Sequence, residues 1–151
     1  MLTRRTLLFA AAAAPAVAVL ATRAAAAEPP VFSRKGAAIN GYDPVAYFTD
    51  GAPVEGSAEF STEWNGTTWQ FANAQNLASF EADPESFAPQ FGGYCAYAVA
   101  RGYTASTDPD AWTVHNGKLY LNFSKGIRRR WLRDIDGEIA NGEANWPSVL
   151  A

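Results

Sequence analysis

The chain of 151 residues has one cysteine, one histidine and one methionine. A single cysteine excludes an intramolecular disulfide and any zinc knot built from several thiolates. Basic residues are fewer than acidic ones, 12 against 15, for a formal net charge of −3. That balance argues against nonspecific nucleic-acid binding, which depends on neutralising phosphates. Long apolar runs are missing except for Leu7 to Ala21, short of the roughly 20 apolar residues that span a bilayer. What is present is 48% apolar and 13% aromatic, too rich for a wholly disordered chain. At about 100–200 residues per domain, the length implies one domain with a short appendage.

The appendage is residues 1–27. Arg4 and Arg5 precede the apolar run, Arg23 follows it, and Ala24 to Ala27 supply small residues at A-x-A spacing. This is the layout of an export signal, with cleavage expected before Glu28. Thr3-Arg4-Arg5-Thr6-Leu7-Leu8 resembles a twin-arginine signal; an ordinary secretory signal is the alternative. Cleavage removes three arginines and no acid, leaving nine basic and fifteen acidic residues over 124 positions. The expected product has no transmembrane anchor and works in the periplasm.

Residues 28–35 read as a linker, with Pro29-Pro30 stiffening it. Asp43 is placed to cap a helical turn that starts at Pro44. Residues 58–63 and 67–72 form a predicted hairpin around Asn65-Gly66, with Trp69 and Phe71 on its buried face. A helix is predicted from Asn73 to Asp83, and a short buried helix over Tyr94 to Ala100. A second hairpin is expected from Ala111 to His115 and Lys118 to Phe123, turning at Asn116-Gly117. Its faces are Leu119, Leu121, Phe123 and Tyr120, Asn122. The last helix runs from Lys125 to Ala140, capped by Ser124, with Ile127, Trp131, Ile135 and Ile139 as its apolar stripe. Gly137 weakens it by about 1 kcal/mol. Trp146 is expected to dock against the core. The fold class is α+β, one small domain with two β-hairpins packed on two or three helices, including the amphipathic C-terminal one.

Cys95 is the sharpest candidate for chemistry. It follows a Gly92-Gly93 break near a helix start, where a thiol's pKa falls. It can be a metal ligand, a redox thiol or a nucleophile; the plain alternative is a small buried apolar residue. His115, at a predicted hairpin tip, is a second metal-ligand candidate or an exposed side chain. Two ligands fall short of the four normal for structural zinc. Tyr94, Tyr97 and Arg101 surround Cys95 in sequence and are candidate pocket residues for a small ligand. Asp43, Asp108 and Asp110 are turn carboxylates whose capping role competes with binding a hard cation. Arg128, Arg129, Arg130 and Arg133 form either a docking surface for an acidic partner or an anionic ligand, or a solvated face paired with Asp134, Asp136 and Glu138.

The stretch from Phe71 to Phe87, together with Asp43-Pro44-Val45 and the aromatic hairpin between them, resembles the YHS domain. The resemblance covers residues 36–91, within a domain that extends over 36–151. That small domain occurs alone and attached to metal-handling proteins, which implies a transition metal, copper or zinc, as candidate cofactor. Metal-associated members carry three thiolates, whose positions here are Ala46, Ala72 and Asn76. Soft thiolates are what select Cu(I) or zinc, so the resemblance implies the fold more than the metal. The reading that follows is a periplasmic binding or accessory module, with a metal ion among its candidate ligands and no catalysis of its own. An assembly subunit for a periplasmic partner, without metal, and a thiol redox protein using Cys95 are the alternatives.

Overall fold

The computed structural model describes residues 11–18 and 27–151. Arg4, Arg5, Arg23 and Ala24 to Ala26, on which the export reading rests, lie outside the described residues. Among the described residues, no helix is long and apolar enough to cross a membrane.

The first hairpin forms as β3 (Ser57–Trp64) and β4 (Thr67–Phe71), joined through Asn65 and Gly66, both at positive φ. That conformation is what an Asn-Gly turn supplies. Trp69 and Phe71 are buried on β4, as the alternation requires. Two strands too short to show a pattern extend the sheet. They are β1 (Ser33–Arg34) and β2 (Ala37–Ala38), and the strand order is β1-β2-β4-β3. Thus part of the expected linker is paired strand. Between β2 and β3 lies a single helical turn, α1 (Ala46–Thr49).

Helix α2 (Ala74–Ala82) is capped by Asn73, whose side chain accepts from the Asn76 amide at 2.8 Å. Asp83-Pro84 then starts the turn α3 (Pro84–Phe87). The short buried helix is α4 (Ala96–Val99). The second hairpin is β5 (Trp112–His115) with β6 (Lys118–Leu121), turned through Asn116-Gly117 as expected.

Two hydrophobic cores meet at β6. Leu119 and Leu121 enter a core with Val45, Tyr47, Trp69, Phe71 and Phe80. Tyr120, on the opposite face, enters a second core with Phe91, Tyr94, Val99 and Trp131. Each large side chain buried in full stabilises the fold by about 1.5–3 kcal/mol. The alternation of faces on β6 is therefore real, but neither face meets solvent. Phe123 departs from it: the strand ends at Leu121, and Phe123 is 55% exposed.

The last helix is broken in three. Helix α5 (Lys125–Trp131), capped by Ser124, leads through a 3₁₀ turn (Leu132–Asp134) into α6 (Ile135–Asn145). Asp134 causes the break by acting as a fresh N-cap, accepting from the Gly137 amide at 3.2 Å. A Cβ on Gly137 would stand 2.3 Å from the Asp134 carboxylate. The glycine that costs helix propensity therefore makes room for the cap. Trp146 docks as expected, its ring 6.0 Å from Phe91 and 6.3 Å from Tyr94.

Candidate functional site

Two buried polar centres stand out. The first is built on Asp43, which is fully buried. One carboxylate oxygen accepts from the amides of Val45 (2.8 Å) and Ala46 (3.2 Å). The other accepts from the Ala72 amide (2.9 Å) and the Asn76 side-chain amide (2.8 Å). Asp43 thus caps α1 as its sequence position suggests and also reaches across to the start of α2. Ala46, Ala72 and Asn76 are the positions where the resemblance implies thiolates. The fold does bring them together, around a carboxylate that four N–H donors already satisfy. With no thiol there and the only anion committed to hydrogen bonds, this centre does not fit a soft metal ion.

The second centre is Cys95, 1% exposed. It precedes the first residue of α4 and is buried under β6 and the turn into α5. Its sulfur accepts from the Phe123 amide at 3.2 Å and lies 3.5 Å from Asn122 Oδ1, which also accepts from the Tyr97 amide at 3.0 Å. Burial pushes the thiol up, outweighing the lowering by nearby backbone amides and Arg101. The expected activation at a helix start is present but loses to desolvation. Burial thus favours the protonated thiol.

Above it opens an apolar pocket of about 220 Å³, lined by Cys95, Tyr97, Ala98, Tyr103, Ala105, Phe123 and Ile127. Tyr103 and Phe123, both about half exposed, form its mouth. Sequence reasoning found Cys95 and Tyr97 but missed Tyr103, Phe123 and Ile127. Alternation placed Phe123 with the buried leucines. The available signal was Ser124, whose capping turn redirects the chain at that point.

The other candidates disperse. The Tyr94 ring packs in the second core and its hydroxyl donates to the Pro29 carbonyl at 2.8 Å. Arg101 stacks on Tyr97, 3.4 Å from the ring centroid, and grips Glu138 through two bonds of 2.8 and 2.9 Å. His115 stands at the end of β5, with Nε2 3.3 Å from Asp136. Its partner and that of Cys95 lie on different elements, and among the described residues no group of three or more His, Cys, Asp or Glu side chains gathers to hold a metal ion. Asp108 accepts from the Asp110 amide at 2.9 Å, a turn role.

The arginines are not paired as a solvated face would have them. Asp134 caps Gly137, Asp136 meets His115 and Glu138 holds Arg101. Arg128 donates to Thr113 Oγ1 at 2.8 Å. Among the described residues no acid pairs with Arg128, Arg129, Arg130 or Arg133. A larger recess, about 500 Å³, runs past Trp64, Trp69 and Trp146, and none of the candidate residues lines it.

The described chain is an α+β domain with a fully satisfied buried carboxylate and a buried thiol under an apolar pocket. The sequence pattern of the YHS domain matches residues 45–91, about a third of the chain. The match begins just after Asp43-Pro44 and ends at Phe91, so Cys95 and its pocket lie outside it. No curated protein and no solved structure matches the chain.

Proposed function

We propose that this chain is an exported, periplasmic YHS-type binding or accessory module without catalysis of its own, which takes a small apolar ligand at the Cys95 pocket. The observation that supports it is the buried thiol beneath apolar walls, with no carboxylate and no imidazole among its partners in the described residues. A nucleophilic or redox thiol needs a base or a lowered pKa, and this one has neither. The pocket volume of about 220 Å³ is below the roughly 300 Å³ of sites that take drug-sized molecules. A short chain or a single ring suits it.

The test is a titration with 1-octanol followed by two-dimensional NMR. Shifts concentrated at Ala98, Tyr103 and Phe123, and absent in the pocket-filling variant Ala105→Leu, support the reading. No shifts in the folded wild type overturn it.

The YHS match leaves a second reading, a bound copper or zinc ion, although its candidate ligands Cys95 and His115 lie outside the matched segment and have different partners. Elemental mass spectrometry on protein purified from periplasm, wild type and Cys95→Ser, separates the two. Near-stoichiometric metal lost in the variant establishes the second reading; none in either folded protein removes it.

A further inference from the structure

The apolar pocket has a neighbour of opposite character. A recess of about 370 Å³ lies against α5, lined by Ser124, Gly126, Ile127, Arg129, Arg130 and Arg133. Ile127 lines both cavities, so they share a wall. Gly126 leaves the helix surface bare, and the Arg129 guanidinium folds back over it, 3.6 Å from where a Cβ would be. This brings a cation toward the shared wall. The three arginines have no carboxylate partner among the described residues, because each nearby acid is engaged elsewhere. In a chain with more acidic than basic residues, a cluster of unpaired guanidinium groups beside an apolar pocket is complementary to a ligand of mixed character. Arginine's planar fork matches carboxylate and phosphate oxygens.

We propose that the two cavities form one site for an anionic amphiphile. A short acyl chain or ring occupies the Cys95 pocket, and a carboxylate or phosphate head lies on Arg129, Arg130 and Arg133. This rests on the reading of the Cys95 pocket as a ligand site and adds the head group to it. The ligand can be a free molecule or a lipid presented by a bilayer, since both offer the same chemistry.

Isothermal calorimetry of the full-length mature protein with octanoate, 1-octanol and inorganic phosphate tests the proposal. Co-sedimentation with vesicles, either pure phosphatidylcholine or mixed with phosphatidylglycerol, locates the ligand's source. Octanoate is expected to bind about tenfold tighter than 1-octanol at low salt, an advantage that salt screens. The triple variant Arg129→Gln/Arg130→Gln/Arg133→Gln should erase that advantage and leave 1-octanol binding unchanged. These arginines are exposed, so the variant keeps its fold, which circular dichroism verifies. Octanoate preference without sedimentation supports a free ligand. Arginine-dependent sedimentation with the anionic vesicles alone supports a lipid. Equal binding of octanoate and 1-octanol, with no sedimentation, overturns the joint site but leaves the apolar pocket standing. Phosphate binding as tightly as octanoate also overturns it, since the chain would then contribute nothing. No binding of any probe overturns both readings.

Discussion

The Asp43 centre and the Cys95 centre are both buried and polar, but they are built to opposite ends. At Asp43 four donors converge on two oxygens: two bonds close the turn before α1, and two tie that turn to the end of β4 and the first turn of α2. At Cys95 the polar contacts hold the thiol and the Asn122 carbonyl, the Asn122 amide nitrogen has no protein partner, and one side is an apolar cavity. A network satisfied throughout rigidifies a fold, whereas a partly satisfied one beside a cavity leaves room for something to arrive. The matched YHS segment surrounds the first centre; the second lies beyond it. The candidate pocket of this chain thus lies C-terminal to the matched segment.

The largest effect should come from cutting the first centre. Asp43→Ala leaves buried amides without an acceptor and should cost about 3 kcal/mol or more, read as a lower urea midpoint. A loss under about 1 kcal/mol would mean that Asp43 does not tie these segments together. Asn76→Ala removes one of the four donors and should cost about 1–2 kcal/mol in the same measurement.

At the second centre the effects should be smaller and pH-dependent. Cys95→Ala should cost about 1 kcal/mol at neutral pH, through lost packing and weak hydrogen bonds. The folded thiol is raised by burial, so the unfolded chain gives up its proton first. Stability from the neutral thiol is complete below the ordinary range near about 8.5 and declines as pH rises above it. The gap between wild type and Cys95→Ala should therefore narrow in alkali. Iodoacetamide should modify the folded protein slowly at neutral pH; fast labelling there would sink the contrast between the centres. Smallest of all, Phe123→Ala at the exposed mouth should change stability by no more than about 0.5 kcal/mol while weakening 1-octanol binding.

Much of the fold was legible because it depends on local chemistry. Asn65-Gly66 and Asn116-Gly117 set both hairpins, and Asn73 and Ser124 set two helix starts. Asp43 was readable as a cap, but not as the bridge to Ala72 and Asn76, because that bond spans 29 to 33 residues. The break at Asp134 was hidden because the apolar stripe runs through it, and only the close fit against Gly137 reveals it. Cys95 was legible as a residue but its pocket was not, since Tyr103 and the Phe123–Ile127 stretch come from two segments distant in sequence. The pairing of Glu138 with Arg101 rather than with its own helix depends on how α4 meets α6, which no local pattern encodes.

The packing of Gly92 has a consequence for the order of events in folding. A side chain there would put its Cβ 2.0 Å from the Pro30 carbonyl oxygen and 3.1 Å from the Trp146 ring. At the same place the Gly92 carbonyl accepts from the Phe32 amide, and the Glu28 amide reaches the Leu150 carbonyl at 2.8 Å. Residues 28–32 are thus held by Gly92, Trp146 and Leu150. Contacts of such wide separation are slow to form. Closing this seam is therefore a late step, and the two ends of the folded body become protected from solvent together.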